Sequence, residues 1–240
     1  STFNNSYSGM AYLGGIVGYK GSEDTTSDSR DFENNKVTVN GTLDLEANKR
    51  SQGAVGAVAG MLQHVSNISA NDAVCDSLTI AASGENSASF AGGIIGRALD
   101  CDTLTSNSLT SRQADISATC TNRSAIAGGF IGSAEDVGRM EQNTYKANGK
   151  LTVSADASNS NSYAGATMGW ASDGTIAGLK ASLNGTVDVN STAGSSAVAG
   201  GLVGKSSKAN VSECGVDVPG GASLSLASYG RSWGSAATGG

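Results

Sequence analysis

The chain has 240 residues, enough to bury a sizeable core, and its formal net charge is −6 at pH 7. Charged residues make up 15% and aromatic residues 5%, whereas 34 glycines accompany a single proline. An acidic balance without a basic stripe predicts no nucleic-acid partner, and the lack of an apolar run of about 18 residues predicts no membrane span. Because short apolar runs recur along the chain, we expect a folded protein and not a disordered one.

A five-residue glycine motif recurs along the chain at a spacing near 36 residues, after a longer first interval of 42. The six copies are Gly14–Gly18, Gly56–Gly60, Gly92–Gly96, Gly128–Gly132, Gly165–Gly169 and Gly200–Gly204. Gly239 stands where a seventh copy would begin. From the third copy onward, a large or β-branched residue and then an alanine precede the first glycine, as in Phe90-Ala91 and Tyr163-Ala164. A fixed period of this length indicates a repeat architecture.

A second column confirms the period, because an apolar-polar-apolar triplet follows each motif after about 23 residues. In chain order the triplets are Val37–Val39, Leu78–Ile80, Ile116–Ala118, Leu151–Val153, Val187–Val189 and Leu224–Leu226. Strict alternation of this kind predicts half-buried strands. A third and weaker column contains the apolar residues Val65, Ile68, Leu104, Val137, Met140, Ile176, Leu179 and Val211.

These columns predict an all-β fold, a single β-helix or β-solenoid over residues 1–240. We expect about six coils, each of roughly 36 residues and three short strands. Glycine permits the tight turns and close strand contacts of such a coil. At roughly 4.8 Å per coil the rod would be about 30 Å long. Without an evident polar cap, we expect the coils to continue into more chain or to contact another subunit through their ends.

The glycine motif resembles the GLUG-type repeats of large bacterial surface proteins and adhesins, most closely at Gly200-Gly201-Leu202-Val203-Gly204. The resemblance extends over most of the chain, although the second and fifth copies lack the double glycine. It implies surface display, adhesion or filament building, and it assigns no catalytic residue.

Three sequence features suggest nucleotide binding or catalysis, but each has a simpler interpretation. Gly200–Gly204 followed by Lys205-Ser206 fits a relaxed phosphate-loop pattern, but no helical pattern follows, so we predict no nucleotide site and no cofactor. The only histidine is His64, whose orienting carboxylate would have to come from another coil. Asp100 and Asp102 are expected to place two carboxylates on one outward face, where solvated turn positions are the simpler interpretation.

The sequence also offers a candidate calcium site and a candidate disulfide. The insertion in the first period offers Asp24, Asp28 and Asp31 as oxygen ligands for Ca²⁺, without the spacing of an EF-hand. The columns place Cys101 and Cys120 inward, and a disulfide across one coil between them would need an oxidising compartment.

Seven sequons for N-glycosylation occur in the sequence. They begin at Asn4, Asn40, Asn67, Asn122, Asn184, Asn190 and Asn210. Asn40 and Asn184 are followed by glycine, so a role in a turn competes with modification at these two positions.

The leading hypothesis is an extracellular or cell-surface structural or adhesive protein, a filament subunit or stalk segment that does not catalyse a reaction. The alternative is a carbohydrate-binding or carbohydrate-cleaving β-helix, for which Tyr145, Tyr163 and Trp170 are the central aromatic candidates. Ice binding is a minor alternative. The outward row that we expect on the best column reads Thr38, Thr79, Ser117, Thr152, Asp188 and Ser225, which is not a regular hydroxyl lattice.

Overall fold

The computed structural model describes residues 2–5, 10–21, 31–47, 52–231 and 235–239, with side chains from residue 10 onward. These residues form strands that coil repeatedly through three parallel sheets, and no helix occurs among them. The predicted all-β solenoid is therefore confirmed. The described ranges also contain no helix long and apolar enough to cross a membrane.

The strands follow one another around the coil with short turns between them. In chain order they are β1 (Thr2–Asn5), β2 (Ala11–Gly14), β3 (Val17–Lys20), β4 (Phe32–Glu33), β5 (Lys36–Thr38), β6 (Gly41–Ala47), β7 (Gly53–Gly56), β8 (Ala59–Gln63), β9 (Asn67–Ser69), β10 (Asp72–Gly84), β11 (Ser89–Gly92), β12 (Ile95–Thr105), β13 (Ser108–Cys120), β14 (Ala125–Gly128), β15 (Ile131–Glu141), β16 (Thr144–Ala157), β17 (Ser162–Gly165), β18 (Met168–Ala177), β19 (Lys180–Leu183), β20 (Thr186–Ala193), β21 (Ser196–Gly200), β22 (Val203–Ser212), β23 (Gly215–Asp217), β24 (Ser223–Gly230) and β25 (Ser235–Gly239).

Each strand pairs with its counterpart in the coil before it, in the coil after it, or in both. Sheet A contains β1, β5, β6, β10, β13, β16, β19, β20, β23 and β24. Sheet B contains β2, β7, β11, β14, β17, β21 and β25, and sheet C contains β3, β4, β8, β9, β12, β15, β18 and β22. The seven strands of sheet B are separated by six turns of chain, which agrees with the predicted coil number. Gly239 occupies the first position of the predicted seventh copy, because it pairs with Gly200, the first residue of the sixth copy.

The predicted strand columns need a correction in register. Thr79 pairs with Thr42 on one side and with Asp115 on the other, so the aligned triplets are Gly41–Leu43 and Ala114–Ile116. The first triplet predicted from the sequence, Val37–Val39, lies in an earlier part of sheet A, where Val37 pairs with Ala73. Both shifts are by an even number of residues. Since side chains alternate with a period of two, the predicted inward and outward faces remain right.

The interior is filled mainly by aliphatic side chains from all three sheets, together with Phe130 and Tyr145. The alanine before the third and later copies of the motif faces this core, as Ala91 and Ala127 do. The larger residue before that alanine faces the other side of sheet B, because neighbours in a strand point to opposite faces. Phe90 and Tyr163 therefore belong to a second apolar cluster, against which Trp170 packs.

The motif glycines lie where sheets B and C meet, and here the two backbones touch without a side chain between them. A Cβ on Gly132 would be 2.4 Å from the Gly96 carbonyl oxygen, and one on Gly92 would be 2.4 Å from the Gly132 nitrogen. Real Cβ atoms do not approach backbone this closely. The close approach that the sequence predicted for the glycines is confirmed, and it connects each coil to the next.

We expect Gly132→Ala to destabilise the solenoid by about 3 kcal/mol, because its Cβ has no flexible neighbour to displace. Gly220→Ala is the matched control, since a Cβ there meets nothing within 4 Å. The control should change the free energy of unfolding by no more than about 0.5 kcal/mol. Chemical denaturation followed by circular dichroism compares the two, and equal midpoints would contradict the glycine contact.

A ladder of buried asparagines, which the sequence reasoning missed, runs through four coils at the corner between sheets C and A. Asn71 Nδ2 donates to Asn107 Oδ1 over 2.8 Å, and Asn107 Nδ2 donates to Asn143 Oδ1 over 3.0 Å. The first step joins Asn35 Nδ2 to Asn71 Oδ1 over 2.7 Å. The amide of Asn107 also donates to the Ile68 carbonyl. Every rung thus satisfies groups that burial would otherwise leave unpaired.

Asn107→Ala should cost about 3 kcal/mol, because it leaves buried groups on both neighbouring coils without partners. Asn122 provides the control. It forms a similar ladder with Asn86 and Asn159, but on the exposed surface. Asn122→Ala should therefore cost less than about 1 kcal/mol. Thermal unfolding of the two variants beside the parent chain measures the difference, and similar losses in both would show that burial of the ladder does not matter.

Candidate functional site

The most distinctive polar arrangement on the surface is a column of residues in left-handed backbone conformation along sheet C. One such residue occurs in each of five successive coils, with φ between 50° and 56°. They are His64, Asp100, Asp136, Asp173 and Lys208. The residues just before them pair in register from Gln63 through Leu99, Glu135 and Ser172 to Ser207. We call the three aspartates the acidic column.

The acidic column sets like charges one coil apart, at roughly 4.8 Å. Partial desolvation raises the pKa of the Asp136 carboxyl, and the charges of Asp100, Asp173 and Glu135 raise it further. Lys208 opposes this shift. At the other end of the column, His64 Nε2 lies 4.0 Å from Asp100 Oδ2. The acidic column is therefore flanked by a histidine and a lysine, and the like-charge repulsion acts among the aspartates between them.

Replacing Asp136 by asparagine should stabilise the protein at neutral pH by about 0.5 kcal/mol, because it removes the like charges and asparagine tolerates the left-handed conformation. The folded state raises the pKa of Asp136, so the repulsion is absent in acid and grows as pH rises through that pKa. The difference between Asp136→Asn and the parent should therefore close at low pH.

Thermal unfolding across a pH series measures this effect. Asp115→Asn is the control, since Asp115 is exposed and pairs with Thr79 and Thr152 in place of carboxylates. A gain that is independent of pH, or equal in the control, would contradict the interpretation.

His64 and Asp100 come together as the sequence reasoning required for any relay, with the carboxylate supplied by the next coil. The imidazole Nε2 lies 3.3 Å from the side-chain amide nitrogen of Gln63. No serine or threonine hydroxyl forms a hydrogen bond with the ring in the described part of the chain. Asp100 and Asp102 are both exposed, as predicted, with Cys101 buried between them. Within the described ranges, no group of three His, Cys, Asp or Glu residues is arranged to hold a metal ion.

The aromatic candidates do not form an open platform. Tyr145 is buried in the core, where its ring packs on Phe130 and its hydroxyl lies 3.2 Å from Ser111 Oγ. Tyr163 and Trp170 do come together, with ring centroids 6.1 Å apart. The chain folds back from sheet B to sheet C between these two residues, and this explains their contact.

The contact belongs to a seam between sheets B and C that mixes aromatic rings and cations. Lys205 Nζ lies 4.7 Å from the Tyr163 ring centroid and donates to its hydroxyl. Arg97 lies 4.8 Å over the Phe90 ring and forms a two-bond ion pair with Glu135 at 2.9 Å. The lysine of the phosphate-loop pattern is thus a packing residue. The segment after Gly204 continues as strand β22, so the helix of a phosphate loop is replaced by a strand.

A polar recess of about 320 Å³ opens on the outer face of sheet A. Its lining residues are Glu46, Ser83, Gly84, Glu85, Thr119, Cys120, Thr121, Asp156 and Ser158. Glu46 and Asp156 belong to one outward row, separated by three coil steps. That separation is about 14 Å, wider than the carboxyl spacing of either class of glycosidase. Arg231 also binds Asp156, with Nη2 2.9 Å from Oδ2.

The row considered for ice binding changes with the corrected register. It reads Thr42, Thr79, Asp115, Thr152, Asp188 and Ser225. Thr38 and Ser117 belong to other rows, since Thr38 pairs with Val74 and Ser117 with Ala81. Two carboxylates now interrupt the hydroxyls, so the lattice is less regular than the sequence suggested.

The disulfide considered between Cys101 and Cys120 is not formed in the structure. Cys101 lies in sheet C, where its thiol contacts the Leu99 carbonyl, whereas Cys120 lies in sheet A beside the Ser87 carbonyl. Both are buried as predicted, and burial raises the pKa of the Cys101 thiol to about 11. Different sheets and different partners explain why the two sulfurs do not meet.

The calcium candidates and the sequons are only partly described. Asp24 and Asp28 lie outside the described residues, and Asp31 is exposed, with its carbonyl accepting from Lys20 Nζ. The exposed sequon asparagines are Asn40, Asn122, Asn184 and Asn210. Asn67 and Asn190 are half-buried, and the side chain of Asn4 lies outside the description.

Comparison with known proteins finds no match to a family model, to a curated protein or to a solved structure. The resemblance of the glycine motif to GLUG-type repeats therefore stays a prediction.

Proposed function

We propose that the chain is an extracellular or cell-surface solenoid with a structural or adhesive role, a stalk segment or filament subunit that works without catalysis. The observation that carries the proposal is the long parallel pairing of each coil with the next. From β10 through β13 to β16, twelve residue pairs join each strand to the next, and the β13–β16 register shifts by one residue between Ser111 and Gln113. Such a stack is stabilised by repeated neighbour contacts, so it suits a protein that holds its shape over distance.

The faces at the two ends of the described stack support contacts with further coils. Strand β22 is the edge of sheet C, and Val211 in the inward column of Ile176 is 48% exposed there. Met10, Ile16 and Tyr19 are exposed near the other end. Unpaired strand edges beside apolar side chains favour association by continued strand pairing. We propose self-association, or pairing with other surface or filament subunits, through these ends.

Val211→Lys tests the ends, because an edge lysine opposes strand pairing. Val74→Lys is the matched control, since Val74 is 45% exposed but lies within sheet A between neighbouring strands. The parent and the control should associate with rising concentration in sedimentation velocity and form elongated particles in electron micrographs. Val211→Lys should shift association to at least about tenfold higher concentration. Beads coated with the parent protein test adhesion to cells and to surfaces. The proposal would be refuted if the parent stays monomeric and the beads bind to neither.

One observation favours a carbohydrate-binding role as the second candidate. Tyr229 is 62% exposed and lies in the same outward row as Asp156, beyond the polar recess. An exposed ring beside hydroxyls and carboxylates suits a sugar chain. Binding to a polysaccharide array, lost in Tyr229→Ala and kept in Tyr19→Ala, would support it, and release of reducing ends would indicate cleavage. Glycosylation of the exposed sequons and the GLUG-type kinship remain part of the proposal for a surface protein.

A further inference from the structure

We propose that Asn40 is a site of spontaneous deamidation, through cyclisation of its side chain onto the backbone nitrogen of Gly41. This inference is independent of the proposed function. Asn40 lies between β5 and β6 on sheet A, and its side chain is exposed to water. Gly41 has a φ of 132°, in the region that favours glycine, and no atom lies within 4 Å of the place where a Cβ would stand. The attacking residue is therefore unhindered.

The next coil prepares the Asn40 side chain for this reaction. Its Oδ1 accepts a hydrogen bond from the Asp76 backbone N–H over 2.7 Å and a second from the Ser77 N–H over 3.4 Å. Two backbone donors that converge on one carbonyl oxygen stabilise the negative charge that develops there when a nucleophile adds. The stacking of coils thus builds an oxyanion site around a side-chain amide.

The reaction needs only water. Gly41 N loses its proton to hydroxide and attacks Asn40 Cγ, which forms a new C–N bond and places the negative charge on Oδ1. The C–Nδ2 bond then breaks, and ammonia leaves after taking a proton from water. Water opens the resulting cyclic imide at either carbonyl and yields aspartate or isoaspartate at residue 40. The rate should rise with pH, because the first step removes a proton.

Two other Asn-Gly pairs in the chain are held differently. Asn184 Nδ2, the group that would leave, donates to Asn148 Oδ1 over 3.0 Å, and Asn184 Oδ1 faces the Ser182 hydroxyl. The donor to Asn148 Oδ1 is therefore the neutral side-chain amide of Asn184. Within the described residues, neither carbonyl accepts from a pair of backbone N–H groups. Residues 184–186 repeat the tripeptide of residues 40–42, Asn-Gly-Thr, so Asn184 is a matched control within the same molecule.

The two products differ in their structural effect. Aspartate at position 40 still has a side-chain oxygen that accepts from the backbone N–H groups of Asp76 and Ser77. Its negative charge strengthens both hydrogen bonds. Isoaspartate adds a methylene to the main chain at the start of β6, where Gly41 pairs with Leu78. It therefore shifts the register of the strand against β10 and weakens the first coils of the stack.

The test uses the full chain, made in a host that does not glycosylate it and incubated at pH 7.4 and at pH 9. Peptide mass spectrometry counts the conversion of amide to carboxylate at Asn40, Asn148 and Asn184. In the folded protein we expect Asn40 to react at least about tenfold faster than Asn184. In urea, where the coils are unfolded, the two identical tripeptides should react at equal rates.

Equal rates at Asn40 and Asn184 in the folded protein would overturn the proposal, as would faster reaction of Asn40 in urea than in the folded state. Asn40→Asp provides a second measurement. It should leave the unfolding midpoint at or above that of the parent, because the carboxylate retains both donors, and a clear loss of stability would contradict the assigned hydrogen bonds.

Discussion

Parallel strands in register impose one condition on nearly every residue of this molecule: its nearest neighbours are the residues at the same place in the coils before and after it. Because the coils are roughly 4.8 Å apart, each side chain must fit beside the side chains at the same position in the neighbouring coils, which are often of the same type. Aliphatic groups satisfy this condition by packing, and the glycines do so by leaving room for backbone. Carboxamides such as Asn71 and Asn107 satisfy it by hydrogen bonding to each other. The acidic column does not satisfy it, and there the pKa of Asp136 is raised.

The period and the alternation of the sequence were enough to predict the coil, because both follow directly from stacking and from the pleat of a strand. The register was only partly predictable. Apolar-polar-apolar triplets occur more than once in a long strand, so Ile116–Ala118 could be mistaken for the copy two residues earlier. The asparagine ladder had a usable signal, since Asn35, Asn71, Asn107 and Asn143 are spaced by 36 residues. The contact of Tyr163 with Trp170 had none, because it depends on how sharply the chain turns at the glycines.

The same condition bears on function. A side chain that takes part in catalysis usually differs from the residues around it. In this fold it must therefore differ from the similar residues at the same position in the adjacent coils. His64 differs in this way, and so does Arg97, whose guanidinium is held by Glu135 of the next coil and by Phe90 of its own coil. Most outward positions instead repeat small polar residues, which supports a role for extended faces over a role for a single pocket.

The asparagine ladder also gives the rod a direction. At each of its three steps the amide nitrogen belongs to the earlier coil and the accepting oxygen to the later one. The side-chain dipoles therefore add along the axis, much as peptide dipoles add along a helix. A coil inserted upside down would set donor against donor on one side and acceptor against acceptor on the other. The hydrogen bonds of the core therefore differ between the two directions along the axis. The polarity of the rod is already present in its interior and does not depend on the surface.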